Sequence, residues 1–157
     1  MSLSQAPANF DAENADNFED IEKQFAVKVV QHMETYWNIL ERVPGSKLRL
    51  TKFDDDIYAH FKNEFPDFDP AATINEDEMK SKEGKEKWRK FIGEYEKGEK
   101  KVEDYNFGTM LRASPKTEYG EKETIFAVRM QFYAIEIARN RAGLNDWIYE
   151  QAHQQEK

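Results

Sequence analysis

Apolar residues recur at helical spacing over most of this chain. From Asp16 or Asn17, either of them a competent N-cap, Phe18, Ile21, Phe25, Val29, His32, Met33, Tyr36, Ile39 and Leu40 line one face, and "PG" at Pro44 and Gly45 ends the run. That pattern predicts a long amphipathic first helix. After an extended "KLRLTKF", Asp54 or a neighbour is placed to cap a second helix with Ile57, Tyr58, Phe61 and Phe65 on one side, closed by the turn-rich "PDFDP". A third helix is expected through "SKEGKEKWRKFIGEYEKG", with Trp88, Phe91, Ile92 and Tyr95 facing one way and lysines the other. Gly84 and Gly93 lower its propensity, and it should fray by Gly98.

The segment "DYNFGTMLRASPKTEYGEKETIFAVR" breaks the helical rhythm. "FGTMLR" and "TIFAV" are short, hold β-branched or aromatic residues and flank a Ser-, Pro-, Thr- and Gly-containing loop, which suggests a small hairpin; a helix over residues 102–112 is the alternative. A last long helix then runs to Gly143, a residue suited to the C′ position, and "LNDWIYEQAH" supplies a short terminal helix through Trp147 and Ile148. The expected fold is mainly α: a compact helical single domain over residues 17–153 with one short hairpin before the last long helix. The polar, acidic residues 1–16 and the residues 154–157 read as disordered ends.

One stretch resists a simple amphipathic reading. In "RMQFYAIEIARNR", Arg129, Glu136, Arg139 and Asn140 share an arc of roughly 100°, interrupted by Phe132, while apolar residues cover the rest. This polar stripe is either an ordinary solvated face or a recognition surface in which an acid sits between two arginines.

Composition bounds what such a fold can do. The 157 residues, 39% hydrophobic and 13% aromatic, suffice for one substantial core, and the apolar runs are far too short to span a bilayer. There is no signal-like N-terminus, so a soluble protein of the cytoplasm, with the nucleus also open to it, is expected. The absence of cysteine excludes disulfides, thiolate zinc sites and a cysteine nucleophile. A net charge of -8 argues against specific nucleic-acid binding, although nine basic against five acidic residues between Lys80 and Lys101 reverse the sign locally. Such polarity suits steering of a partner protein, or simply solvates two helix faces.

Catalytic chemistry finds little support in the sequence. Asp56, His60 and Glu64 stand at i, i+4 spacing, but nothing elsewhere completes a metal set, and the solvated-face reading is simpler; no metal or cofactor is expected. His32 falls on the apolar face, where a hydrogen-bonded core histidine is the better reading. The Gly93 to Gly98 spacing imitates a phosphate loop, yet Glu99 occupies the lysine position. "LTKFDDDIY", "GKEKWRKF" and "DYNFGTMLR" instead mix aromatics and charges near helix ends. Trp88, Tyr105 and Phe107 fit a core, whereas Asp54, Asp55, Asn106, Arg112 and Arg129 are harder to explain by packing and fit a protein interface.

Those motifs, with "VEDYNFGTMLR" and "TIFAVRMQFYAIEIARNRAGLND", resemble in order and spacing the eukaryotic polysaccharide biosynthesis domain-containing protein family, and the chain is similar to its fungal members over about residues 18–147. Despite the family's name, the resemblance implies a dedicated chaperone of translation elongation factor 1-alpha. Such a chaperone engages the GTP-binding domain as it emerges from the ribosome, protects it from aggregation and releases it once folded with GTP. It implies no enzymatic activity, no membrane and no specific nucleic acid. Candidate client-binding residues are Asp54, Asp55, Asn106, Arg112, Arg129, Glu136, Arg139 and Asn140; the stripe would belong to that face or form a salt-bridged support for the "DYNFGTMLR" loop. A ribosome- or RNA-associated adaptor and a glycan-modifying enzyme are the alternatives.

Overall fold

The last long helix is the axis around which the other elements pack. A computed structural model describes residues 15–154, and the expected disordered ends lie outside the described residues except for 15, 16 and 154. Six helices, α1 Ala15–Arg42, α2 Asp54–Glu64, α3 Glu76–Met79, α4 Lys82–Gly93, α5 Arg129–Arg141 and α6 Asp146–Ala152, accompany a 3₁₀ turn at Gly45–Lys47. Strands β1 Gly108–Arg112 and β2 Thr124–Val128 form an antiparallel hairpin, with Met110 opposite Phe126 and Thr109 opposite Ala127. The mainly helical single domain with one hairpin is therefore the observed fold, and the helical alternative for 102–112 gives way to turns and β1.

Helix α5 is buried almost all round. Met130, Phe132, Ala134, Ile135, Ile137 and Ala138 meet the core, as a helix apolar over most of its circumference requires. On one side α2 and α4 contribute an aromatic cluster in which Phe65 lies 4.4 Å from Trp88 and Phe61 stacks at 5.7 Å from the same indole. On the other, His32 and Tyr36 of α1 meet Phe132 edge-on at 4.9 and 4.8 Å. Val29, Tyr36 and Leu40 bear out the apolar face of α1, but Ile39 is 39% exposed because the stripe drifts off the core as the helix runs on; the side chains of Phe18 and Ile21 lie outside the described residues.

Two local expectations are corrected by where bonds to the backbone go. Asp54 does not cap α2: it occupies the first turn, and its carboxylate turns back to accept from Leu50 N, Thr51 N and Thr51 Oγ1, tying down the extended approach to the helix. The third helix is shorter than expected. Ser81 accepts from Gly84 N at its start, and it stops at Gly93, where tighter turns carry the buried Tyr95 instead. Within "TIFAV", Phe126 points outward and is 46% exposed, since period-2 alternation places only Ile125 and Ala127 inside.

The end of α5 follows the expectation for Gly143. Its φ of 74° lets Gly143 N bond Asn140 O and Leu144 N bond Arg139 O, the paired bonds of a Schellman motif. Gly143→Ala is expected to lose about 1 kcal/mol from the left-handed penalty, whereas Gly93→Ala, whose Cβ meets nothing within 4 Å, should gain roughly 0.5 kcal/mol or more. Urea denaturation of both variants checks the opposite signs.

Candidate functional site

The polar stripe of α5 is not a solvated face. Glu136, Arg139 and Asn140 are buried together with Arg112 from the end of β1 and Asn145 from the turn before α6. Glu136 sits between two guanidiniums, its Oε1 accepting from Arg112 Nη2 at 3.1 Å and its Oε2 from Arg139 Nη1 at 3.0 Å. Asn145 donates to Glu136 Oε1 and Asn140 Oδ1, accepts from Arg112, and Asn140 donates on to the Tyr36 hydroxyl. The two arginines also hold the chain that leaves β1: Arg139 donates to the carbonyls of Arg112 and Ala113, and Arg112 to those of Pro115 and Thr117. Arg112 lies against the edge-to-face pair of Trp37 and Tyr119, each ring centre 5.7 Å from its guanidinium carbon.

Electrostatics follow from this geometry. Burial alone would raise the Glu136 carboxyl, but Arg112 and Arg139 outweigh it and hold it below the usual carboxylate range. Burial and the nearby Glu136 charge push the Tyr36 phenol well above its ordinary value, so the network is closed by neutral hydroxyls around a charged triad.

A second ionic group lies at the other end of α5. Arg129 pairs with Asp104, to which the Tyr133 hydroxyl also donates at 2.8 Å. The first N–H groups of α5 are satisfied by the same turn, Arg129 N by Phe107 O and Met130 N by Tyr105 O. This turn forms one wall of an open groove of about 460 Å³ whose other wall is α1, with Phe25, Val29, His32 and Phe107 supplying apolar and aromatic surface, the Arg129–Asp104 pair lining it and Lys28 adding a positive charge. His32 Nδ1 meets Thr109 Oγ1 at 2.5 Å. Burial first, then Arg129, against the opposing pull of Asp104, lowers the His32 imidazole to about 4, so it is neutral in the groove wall at physiological pH.

The predicted site residues therefore separate into three groups. Arg112, Glu136, Arg139 and Asn140, with Asp54, are buried and present no surface to a partner in this conformation; of the two roles considered for the stripe, the geometry is that of a salt-bridged support. The strand end and the loop 113–117 are what Arg112, Glu136 and Arg139 support, while Arg129 supports the "DYNF" turn. Arg129 lines the groove, and Asn106 stands half-exposed in the turn that walls it. Asp55 is exposed elsewhere, bonded to Arg141 at 2.5 Å, an interaction that lowers its carboxyl below the usual range. Of the Asp56, His60 and Glu64 series, His60 Nε2 lies 3.9 Å from Glu64, its Nδ1 bonds Tyr95 and its ring stacks 4.4 Å from Phe91, while Asp56 faces Lys100. Sequence reasoning missed Asp104 and Asn145; both stood inside quoted motifs, and an Asn after a Gly-Leu helix stop reads as a turn residue rather than as the junction of a network.

The sequence of the PBDC1 protein family matches residues 21–150. A protein PBDC1 homolog of Saccharomyces cerevisiae is 58% identical over 144 residues, covering 90% of this chain and 97% of the relative. A Schizosaccharomyces pombe homolog is 57% identical over 141 residues, covering 88% and 94%. A solution NMR structure of a Saccharomyces cerevisiae protein, 58% identical, superposes with a TM-score of 0.78 over 92% of this chain and 99% of its own.

Glu136→Gln leaves two buried guanidiniums facing each other and is expected to cost about 3–5 kcal/mol in urea denaturation, far above a surface charge change. His32, with its folded value lowered from 6.5 to about 4, contributes stability that is full above pH 6.5 and lost as pH falls toward 4, because the unfolded chain binds the proton more readily in that window. NMR titration of the imidazole protons should place His32 near 4; a midpoint near 6.5 would refute the assigned environment.

Proposed function

Because the chain belongs to the PBDC1 protein family, the polysaccharide biosynthesis domain-containing proteins, we propose that it is a non-enzymatic chaperone of one client. It holds the nascent GTP-binding domain of translation elongation factor 1-alpha in the cytoplasm, prevents its aggregation and lets go when that domain has folded and bound GTP. The observation that carries this reading is the groove between α1 and the 104–108 turn: apolar side chains flanked by Lys28 and Arg129 on a rigid ionic frame. An immature GTPase domain exposes apolar segments and strand edges that a preformed groove of this kind covers. Release needs only that the folded client bind more weakly, which GTP achieves by ordering a segment the groove had held.

The alternatives fit the structure less well. A glycan-modifying enzyme needs polar groups converging on an accessible pocket, and the strongest polar convergence here, around Glu136, is sealed in the interior. A ribosome or RNA adaptor would use the Lys80 to Lys101 run. Lys80, Lys90, Lys100 and Lys101 are already paired with Glu76, Glu64, Asp56 and Glu103, which weakens its field.

Cell-free synthesis of the elongation factor's GTP-binding domain, with soluble yield and complex followed while GTP is varied, tests the proposal. Wild-type protein should raise the yield through a complex that dissolves on GTP addition. Lys28→Glu combined with Thr35→Arg, both in the groove wall, should weaken the complex roughly ten-fold with a Tm change of no more than about 2 °C. A complex lost to glutamine replacement of Lys82, Lys85 and Lys97 instead, with steep salt dependence, favours the adaptor.

A further inference from the structure

A second open groove of about 460 Å³ lies between the chain that follows α2 and the α3–α4 corner. Its floor is apolar and aromatic: Phe65, Phe68, Ile74 and Met79 lie over Trp88 and Ile135. These residues are packed rather than loose, since Phe61 links Phe65 and Phe68 at 5.2 and 5.0 Å, and Gly84 admits the α3 backbone where any Cβ would collide with the carbonyls of Glu78 and Met79. Ile74 N bonds Ala113 O at 2.8 Å, which ties one wall to the loop held by Arg139.

The rim carries the opposite charge to the first groove. Asp67, Asp69, Glu78 and Glu83 line it against Lys87, whose ammonium lies 5.0 Å from the Phe65 ring centre. Among the described residues, none of these four carboxylates takes part in an ion pair. Asp69 is engaged by Ala71 N in its own turn but keeps its charge, so four acids against the one cation of Lys87 surround an apolar floor, and the side chains of Asp67, Glu78 and Glu83 are not drawn into such a turn. Uncompensated negative charge disfavours an acidic or purely apolar occupant and favours one whose own cations sit at the rim.

We propose that this groove docks an extended peptide segment in which lysine or arginine alternates with large apolar residues, the apolar side chains on the Phe65–Trp88 floor and the cations against Asp67, Glu78 and Glu83. Side chains of alternate residues of an extended segment point to opposite sides, so one face meets the aromatic floor while flanking cations reach the carboxylates. The site is separate from the groove beside α1 and stands whether or not that groove holds an elongation factor. A chain using both surfaces would contact one partner through two points or two partners at once, with the effective-concentration gain that linkage gives.

The test uses the full chain and three fluorescent octapeptides: alternating Leu and Lys, alternating Leu and Glu, and alternating Ser and Lys. Anisotropy should show saturable 1:1 binding of the Leu-Lys peptide alone, weakened by salt, with NMR shifts at the Trp88 indole and Gly84 amide. The variant Asp67→Asn, Glu78→Gln, Glu83→Gln removes three exposed charges without touching the floor, and should weaken binding roughly ten-fold with little change in Tm. Equal affinity for the Leu-Glu peptide, indifference to the triple variant, or shifts confined to His32 and Phe107 would overturn the assignment. Loss of client holding in the groove variants beside α1, with peptide binding intact, would leave this docking site standing on its own.

Discussion

The Arg112–Glu136–Arg139 triad constrains the whole structure because it places two positive charges and one negative charge where water does not reach. Desolvating three ions is costly, and their mutual attraction offsets that cost through good geometry and acceptors for the terminal guanidinium nitrogens, although the buried Nε groups of Arg112 and Arg139 find none. Most of those acceptors come from outside α5, from the carbonyls of residues 112, 113, 115 and 117 and from Asn145. The triad is therefore also a packing instruction: α5, the hairpin and the turn before α6 have to meet in one arrangement for the charges to be buried at all.

An isolated two-stranded hairpin is marginal in water, and this one carries a long, irregular loop. Here the loop is held at both of its early turns, by Arg139 at Ala113 and by Arg112 and Trp147 at Pro115. Ala113 O also accepts from Ile74 N, so the same carbonyl joins the hairpin to the wall of the acidic groove. At the opposite end of α5 the Arg129–Asp104 pair does the equivalent for the turn beside α1. The two grooves are thus tied to one central helix by directional bonds.

How much of this the sequence disclosed depends on the kind of signal involved. Helix and hairpin identity was legible because the periods are strong: the α1 face, the "FGTMLR" and "TIFAV" pair and the Gly143 stop all fall where the pattern places them. The residues that organise the interior were also visible, since Arg112 was hard to explain by packing and Glu136, Arg139 and Asn140 stood out as a polar arc on an otherwise apolar helix. Their role was not legible, because a polar arc on a helix has the same period whether it meets water or a complementary set of ions from another element. Part of that partner set is distant along the chain, Arg112 lying 24 residues from Glu136 and Tyr36 104 from Asn140, and local pattern carries no information at that range. The capping role given to Asp54 failed for a related reason: a carboxylate at a helix start can serve the helix or the chain before it, and only the tertiary path of Leu50 and Thr51 decides.

On the chaperone function proposed above, the protein faces two requirements that pull apart, firm presentation of its surface and weak enough binding to let go. Flexible surfaces meet the second by losing ordering entropy on binding, but they also adapt to unintended partners. A surface held from beneath by a buried ionic frame separates the two. The triad keeps its electrostatic energy inside the molecule, where it holds the loop after β1, while the groove beside α1 is braced by the Arg129–Asp104 pair and has modest apolar area and few charges. Affinity is then limited by the size of the groove while selectivity rests on its fixed shape and sign of charge. Replacing the triad with apolar residues of similar volume would keep the core filled, yet it would remove the bonds that aim the loop after β1 and the turn before α6, and through Ala113 the tie to the acidic groove.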